Sequence, residues 1–353
     1  MHQIALVGEA YGEAEHRERV PFVGASGWHL TQMLNDAGID RASCYLTNVF
    51  NRWPRDGKTD VFGYLNSPGK AAEVHAFCGP KADGIPGLPP LAASRYVRAE
   101  FEPELERLRN ELLEVNPNVI IALGNTALWA LTGHTAISKR RGTVSASTHC
   151  VAGFKLLPTY HPAAVMRQWE LRAVTVLDLM KAKRESTFPE VIRPAREVWI
   201  EPDLTDLETF YERYLRGCSR LSVDIETAGT QITCIGFAPT PAVSLVVPFV
   251  DPRRARGSYW PSLEAELMAW RFVIRVLDLP CGKIFQNGLY DISFLWRSYG
   301  IRVRNPEDDT MLLHHALQPE SPKALDFLGS VYTTEASWKL MRPRGKETIK
   351  RDE

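Results

Sequence analysis

Short apolar runs, each ending in a loop rich in glycine or polar residues, constrain the fold of the first half of this chain most strongly. Such runs predict buried strands, and the intervening segments with apolar residues at helical spacing predict amphipathic helices. The predicted strands are 4–7, 45–49, 119–123 and 154–157, and the predicted helices are 27–37, 101–114, 124–131 and 171–183. Strands that alternate with helices favour a parallel α/β sheet, which binds ligands beyond the carboxyl ends of its strands.

A polar, proline-containing stretch without periodicity interrupts this alternation and predicts a linker at 189–196. The linker separates a first domain, 1–188, from a second domain, 197–353, and a length of 353 residues fits two domains of ordinary size. Beyond the linker, the order of elements predicts a mixed sheet with helices packed on it. The predicted strands there are 221–224, 232–237 and 242–247, followed by helices at 264–277 and 289–296.

Charge and cysteine content limit the classes of partner and cofactor. The chain has 42 basic and 42 acidic residues, so contacts with nucleic acid would depend on local basic clusters rather than on net charge. The candidate clusters are 139–141, 181–184, 253–256 and 342–351. The six cysteines form no C-x-x-C pair, which argues against a zinc ribbon and favours a reducing compartment. With no apolar run long enough to span a bilayer and no signal-peptide pattern, we expect a cytoplasmic protein without a membrane partner.

Several polar residues near the predicted strand ends have the chemistry needed to break an N-glycosidic bond. In that reaction the sugar becomes cationic and the departing base anionic, so the protein needs carboxylates near the sugar and a donor facing the base. Glu9 and Glu15 are the candidate carboxylates and His161 is the candidate donor. Phe22 offers a flat wall for an extruded base, and the Asn48 amide suits the edge of uracil better than that of cytosine.

Residues 3–185 resemble the uracil-DNA glycosylase superfamily, in particular the branch of thermostable iron–sulfur enzymes and their phage relatives. The matching segments are 8–13 (GEAYGE), 21–27 (PFVGASG), 46–49 (LTNV), 122–127 (ALGNTA), 141–142 (RG) and 159–163 (TYHPA). The resemblance implies a four-stranded parallel sheet between helices, with DNA as the partner and uracil or a modified pyrimidine as the excised base.

The resemblance also implies a role for each site residue. Glu9 would position or activate water, Glu15 would support the site, and Phe22 would stack on the base. Asn48 would read the base edge and His161 would stabilise the anionic leaving base. The 163–167 loop would enter the minor groove, with Val165 or Met166 as the wedge and Arg167 as a further DNA contact.

The chain departs from that branch in three places. Tyr11 stands where the branch usually has proline, and segment 54–96 is a long Gly-, Pro- and Ala-rich excursion unlike the compact loop of those enzymes. The cluster cysteines are missing, so we expect no iron–sulfur cluster and no other cofactor at this site. Because no lysine lies in the site motifs, we also expect hydrolysis without a Schiff base.

A second group of carboxylates follows the linker. Asp224 and Glu226 are two residues apart on a predicted strand and therefore face the same side, and Asp291 lies at the start of a predicted helix. Residues 197–340 resemble the proofreading 3′–5′ exonuclease domain of DNA polymerase I and its ribonuclease-H-like relatives. The matching segments are 223–227 (VDIET), 287–291 (NGLYD), 308–312 (DDTML) and 325–328 (LDFL). The resemblance implies Mg²⁺ or Mn²⁺ held by Asp224, Glu226 and Asp291.

The final motif of that exonuclease family, a Tyr or His shortly before a fourth carboxylate, is not found in this sequence. We therefore expect a domain that lacks its C-terminal end. Two further interpretations of its function stay open. The chain could be a DNA-binding accessory of a phage DNA polymerase without catalysis, or its exonuclease site could be completed by a further polypeptide segment. The main prediction is a glycosylase domain joined to an exonuclease-like domain, acting in a bacterial cell or a phage-infected host.

Overall fold

The computed structural model describes residues 2–54 and 76–335. The chain divides into two compact units, one formed by Met1–Ile192 with Asp326–Glu353 and the other by Arg193–Leu325. The predicted basic cluster at 342–351 and residues 55–75 of the predicted excursion lie outside the described residues.

The first unit is built on a five-stranded sheet. Its strands in chain order are β1 (Ile4–Ala10), β2 (Tyr45–Phe50), β5 (Val119–Leu123), β6 (Ser145–Ala146) and β7 (Lys155–Thr159), and a separate short hairpin contains β3 (Cys78–Gly79) and β4 (Tyr96–Val97). The order across the sheet is β2-β1-β5-β7-β6, with the first four strands parallel and β6 antiparallel to β7. This arrangement confirms the predicted parallel α/β class and adds one short edge strand.

Helices cover both faces of this sheet. In chain order they are α1 (Glu13–Glu18), α2 (Ala25–Asp36), α3 (Glu102–Val115), α4 (Gly124–Thr132), α5 (Ile137–Arg140), α6 (Pro162–Arg167) and α7 (Leu171–Glu185). Successive side chains of a strand point to opposite faces, so Ala5 and Val7 pack with α3 and α4. Ile4 and Leu6 pack with α2 and α7 on the other face. The result is a three-layer α/β/α arrangement with two apolar cores.

The described part of the predicted excursion is packed against the first unit. Phe77, Ile85, Leu91 and Val97 belong to the same core as α3 and α4. The Trp129 indole also donates a hydrogen bond to the Pro89 carbonyl at 2.8 Å. Residues 76–97 therefore form a wall of this unit, although they contain little regular secondary structure.

The segment after residue 325 also belongs to the first unit. It begins with α12 (Leu325–Tyr332), and Arg141 donates to the Ser330 hydroxyl at 2.8 Å. Lys181 donates to the carbonyls of Ser330 and Thr333, and the Arg141 guanidinium lies over the Phe327 ring. Because Ser330 is buried and its polar groups pair with Arg141 and Lys181, residues 328–330 belong to this unit's interior.

This placement corrects the predicted second domain, 197–353, which by the observed contacts ends at Leu325. It also removes Arg141 and Lys181 from the basic clusters available to nucleic acid, since both side chains are buried.

The second unit is a mixed six-stranded sheet with helices, as predicted. Its strands are β8 (Glu197–Trp199), β9 (Arg220–Ala228), β10 (Gln231–Thr240), β11 (Val243–Pro248), β12 (Gly282–Phe285) and β13 (Pro306–Asp309), and its helices are α8 (Leu204–Phe210), α9 (Leu263–Leu277), α10 (Gly288–Tyr299) and α11 (Thr310–Leu317). The order across the sheet is β13-β12-β9-β10-β11-β8. Strand β9 alternates strictly, so Leu221, Val223 and Ile225 enter the core while Asp224 and Glu226 stay on the exposed face.

Within residues 2–54 and 76–335, no helix combines the length and the apolar composition needed to cross a membrane.

Candidate active site

The carboxyl ends of β1, β5 and β7 surround a cavity of about 390 Å³ in the first unit. Its lining includes Glu9 from β1, Asn125 and Thr126 from the first turn of α4, and His161 after β7. Parallel strands bring their carboxyl ends to one edge of a sheet, so residues 9 and 161 meet here despite their separation in sequence. Leu91 and Ala92 of the predicted excursion form part of the same lining.

Glu9 is held by a hydrogen bond from α4. The Thr126 hydroxyl donates to Glu9 Oε2 at 2.7 Å, which fixes the carboxylate at the end of β1. A carboxylate fixed in this way can orient a water molecule or face a developing positive charge without first reorganising. Thr126 lies in the 122–127 segment, but the sequence assigned it no role.

His161 is the N-cap residue of α6, and its ring accepts a hydrogen bond. Ala163 N–H donates to His161 Nδ1 at 3.1 Å, so a neutral ring carries its proton on Nε2. Burial, and then the charge of Arg167, lower the pKa of His161 from 6.5 to about 4. The imidazole is thus neutral at pH 7, with Nε2–H as a hydrogen-bond donor.

Glycine at position 124 allows His161 to approach α4. Gly124 has a φ of +89°, and a Cβ built on it would lie 3.0 Å from His161 Cβ. A larger residue would therefore combine backbone strain with a displaced histidine.

Phe22 occupies an uncommon backbone conformation beside this histidine. Its φ is +58°, which is rare for a bulky residue and is maintained only where the surroundings impose it. Arg41 donates to the Phe22 carbonyl at 2.8 Å, and a Cβ on Gly27 would lie 1.7 Å from the same oxygen. These contacts hold the Phe22 ring with its centroid 6.0 Å from that of His161.

Asn48 and Phe22 approach each other across Gly8. Parallel pairing of β1 with β2 places Asn48 opposite Gly8. A Cβ on Gly8 would lie 2.2 Å from Asn48 Oδ1 and 2.4 Å from Phe22 Cζ, so the amide and the ring both use the space that glycine leaves. Arg107 holds this end of β2 by donating to the Asn48 carbonyl at 2.8 Å. Phe22 and Asn48 themselves are nearly buried and are not among the residues that line the 390 Å³ cavity.

Glu15 holds two loops together rather than facing the cavity. Its Oε1 accepts from Gly24 N–H at 2.9 Å and its Oε2 accepts from Gly12 N–H at 3.2 Å. The side chain is buried and does not line the cavity. These contacts fit a residue that positions the loop containing Phe22, which precedes α2, more closely than one that performs chemistry.

The structure places the two candidates for the predicted DNA wedge, Val165 and Met166, in different surroundings. Residues 162–167 form a helix rather than a loop, and Val165 is completely buried in the core with α2 and α7. Helical spacing turns Met166 outward, where 43% of its surface is exposed. Val165 is therefore excluded as a wedge, Met166 stays a candidate, and Arg167 lines the cavity.

Comparison with known proteins decides the family. A family model described as the uracil DNA glycosylase superfamily matches residues 2–186, just over half of the chain. The chain belongs to this superfamily.

The proteins similar to this chain include uracil-DNA glycosylases and a DNA polymerase. The Type-4 uracil-DNA glycosylase of Thermotoga maritima is 31% identical over 185 residues, which cover 51% of this chain and 76% of the relative. A DNA polymerase of Bacillus phage SP01 is 26% identical over 239 residues, which cover 61% of this chain and 25% of the polymerase.

The solved structure of the EXD2 exonuclease domain soaked in Mg matches with 19% identity and a TM-score of 0.26. The match covers 35% of this chain and 59% of that one. A TM-score of this size does not establish a shared fold.

The first unit of this superfamily member contains three free cysteines, Cys44, Cys78 and Cys150. Burial raises the pKa of Cys44, Cys78 and Cys150 to about 11 each, so these thiols are protonated at pH 7. In the described parts of the chain, no three His, Cys, Asp or Glu side chains are arranged to hold a metal ion. The absence of an iron–sulfur cluster stays a prediction from the sequence, and we derive no step through one.

The predicted metal ligands of the second unit are not brought together as a three-ligand site either. Asp291 is buried, and its Oδ1 accepts from the backbone N–H of Ile225 in β9 at 3.0 Å. The pairing of β12 with β9 ends at Ser222. The Ile225 N–H therefore has no partner in β12 and donates to the Asp291 carboxylate instead. A cavity of about 330 Å³ on the exposed face is lined by Asp224 but not by Glu226 or Asp291. The assignment of Asp224, Glu226 and Asp291 as metal ligands stays a prediction from the sequence.

Gly8→Ala is expected to disrupt the site. The added methyl would collide with Asn48 Oδ1 and Phe22 Cζ, and such overpacking costs about 1–3 kcal/mol. Displacing a substrate-positioning group by about 1 Å can lower a rate about 10²-fold, so single-turnover base release should fall by that order. Gly217→Ala is the matched control, because no atom lies within 4 Å of its added Cβ. Wild-type rates in Gly8→Ala would refute the close packing.

The His161 pKa predicts a pH dependence that histidine NMR can follow. The ring should titrate near pH 4 in the folded chain and near 6.5 in the unfolded chain. Because the pKa of His161 is lower in the folded chain than in the unfolded chain, the neutral ring stabilises the fold. This contribution to the free energy of unfolding is complete above about pH 6.5 and is lost as the pH falls to about 4. A folded-state titration near 6.5 would show that the ring is not held neutral.

Proposed function

We propose that the first unit hydrolyses the N-glycosidic bond of uracil, or of a modified pyrimidine, in DNA. One observation carries the proposal: Glu9 and His161 line a single cavity, with His161 neutral and its Nε2–H available as a donor. Similarity to Type-4 uracil-DNA glycosylases over most of their length supports uracil as the base.

The chemistry follows from the charges that develop. As the bond between the sugar and the base breaks, the sugar becomes cationic and the base carries the electron pair of the bond. His161 Nε2–H donates to the base oxygen that gains negative charge, and a neutral imidazole does so without transferring a full proton. Glu9, fixed by Thr126, faces the cationic sugar and orients the water that attacks it. The attacking water loses a proton to Glu9, the anionic base takes up a proton from solvent after it leaves, and the products are the free base and an abasic site.

Phe22 and Asn48 stay our candidates for base recognition, although both are nearly buried and neither lines the cavity. The Phe22 ring lies next to His161, and the Asn48 amide approaches the Phe22 ring across Gly8, so an extruded base that reaches past His161 would meet both. None of the described residues lining the cavity is a lysine, so the proposed reaction is a hydrolysis without a Schiff base.

A strand-cleavage assay tests this function. The full chain is incubated in EDTA with oligonucleotides containing uracil or modified pyrimidines, and the products are treated with alkali. Cutting at uracil in EDTA supports the proposal, and the series of bases defines the specificity. The absence of cutting at every base would refute it.

For the second unit we propose two candidate roles, holding the DNA strand without catalysis and 3′–5′ exonuclease chemistry. The second is favoured by Asp291, whose pKa is raised to about 6 by burial and then by the nearby charges of Asp224 and Asp309, as expected of crowded carboxylates. Similarity to a phage DNA polymerase makes such a polymerase the partner we propose, in a bacterial cytoplasm or an infected host.

A labelled 3′ end separates these two roles. Loss of the label only with Mg²⁺ or Mn²⁺ would support exonuclease chemistry and should disappear in Asp224→Asn. Retention of the oligonucleotide by the protein without loss of label would support the strand-holding role.

A further inference from the structure

Two exposed tryptophans lie on the segments that carry Phe22 and His161. Trp28 is 61% exposed on α2, which begins three residues after Phe22, and Trp169 is 60% exposed just beyond α6, which His161 caps. Single exposed apolar residues are common, but two large aromatic side chains exposed around one histidine indicate a binding surface.

The two indoles are held around one imidazole. Trp28 meets the His29 ring at a centroid distance of 4.8 Å and 86°, and Trp169 meets it at 6.2 Å and 72°. In this edge-on arrangement the tryptophans do not stack on each other, so flat indole surface remains exposed. The Arg172 guanidinium lies over one face of the Trp169 ring, 5.3 Å from its centroid, and is itself paired with Asp36. A base that stacks on Trp169 would therefore use the opposite face.

The same two segments carry further exposed apolar side chains and one cation that lines the cavity. Val20, Val23 and Met166 are exposed and belong to the same two segments. Arg167, between Met166 and Trp169, lines the cavity and is positively charged. The surface therefore combines flat aromatic groups, an apolar border and cations, which is the combination that binds bases and phosphates of an unpaired strand.

We propose that Trp28 and Trp169 form a stacking platform for unpaired bases of single-stranded DNA next to the excised nucleotide. The platform rests on the proposed glycosylase function, because it assigns a strand state to the substrate of that site. Bases in a duplex already have both faces stacked, whereas bases of a single strand offer free faces to an indole. Every base has such a face, so the platform tolerates any flanking sequence.

Binding of a fluorescein-labelled oligothymidylate, measured by anisotropy with the full chain, tests the platform without requiring excision. Trp28→Ala and Trp169→Ala should each raise Kd about tenfold, and Trp28→Phe and Trp169→Phe should recover most of the affinity. Leu113→Ala is the matched control, since Leu113 is also exposed in the first unit but on α3. With a single-stranded uracil substrate, the alanine variants should raise KM and leave kcat nearly unchanged.

The outcomes separate the platform from the proposed function. Wild-type affinity for oligothymidylate in the folded double alanine variant would overturn the platform even if uracil excision proceeds. An equal loss of affinity for a matched duplex would also overturn it, because stacking on unpaired bases would not be the cause. Tryptophan-dependent binding without excision of any base would support the platform while refuting the glycosylase.

Discussion

Glu9→Gln should lower the single-turnover rate of uracil release by about two to four orders of magnitude, the usual effect of removing a positioned catalytic carboxylate. Glutamine keeps the size of the side chain and can still accept from Thr126, but it carries no charge to face the cationic sugar and cannot take a proton from water. Release of radiolabelled uracil from an excess-enzyme reaction measures the change.

Two variants make this result specific. Glu13→Gln alters an exposed carboxylate on α1 and should keep the wild-type rate. His161→Ala should lower the rate by about 10²–10³-fold, the usual effect of removing one donor to a developing anion. A Glu9→Gln rate within about twofold of wild type would mean that another group orients the water.

Asp178→Asn should destabilise the first unit by about 3–5 kcal/mol, the usual effect of removing one partner of a buried ion pair. Asp178 accepts from Arg141 through both carboxylate oxygens and from the Thr159 hydroxyl at 2.7 Å. Both charged side chains are almost completely buried, at 1% and 2% exposure, so the variant leaves the Arg141 charge without its counter-ion. Calorimetry of the full chain should show an earlier transition for this unit.

The exposed ion pair between Arg172 and Asp36 provides the control. Asp36→Asn should change stability by less than about 1 kcal/mol, because water screens an exposed pair. Equal effects of Asp36→Asn and Asp178→Asn would contradict the structural importance of the buried pair. The buried Arg141–Asp178 pair also supports residues 326–335, because Arg141 donates to the Ser330 hydroxyl. The Asp178 variant should therefore make residues 326–335 more accessible to protease.

Local sequence patterns predicted the parts of the fold that depend on neighbouring residues. Apolar runs and helical periodicity placed the main strands of both sheets, and the strand-end rule brought Glu9 and His161 to one edge. The alternation in β9 likewise predicted that Asp224 and Glu226 share a face. These features follow from side-chain direction along a strand or helix, which a single sequence contains.

Long-range contacts explain what the sequence did not predict. Ser330 meets Arg141 from 189 positions away, and no periodicity reveals that such a segment returns to the first unit. Val165 was misassigned because a short helix, not a loop, follows His161 and buries one of its faces. Asp291 accepts a hydrogen bond from the Ile225 N–H of β9, which is available because the pairing of β9 with β12 ends at Ser222. That end point depends on the register of the sheet.

Direct detection of free uracil tests the central claim most simply. The wild-type chain is incubated in EDTA with a uracil-containing single strand, and the released base is quantified by chromatography with mass detection. We expect one free uracil for each substrate uracil, and essentially none from Glu9→Gln or His161→Ala on the same timescale. A folded wild-type protein that releases no uracil, or two variants that release it as fast as wild type, would contradict a glycosylase site built on these two side chains.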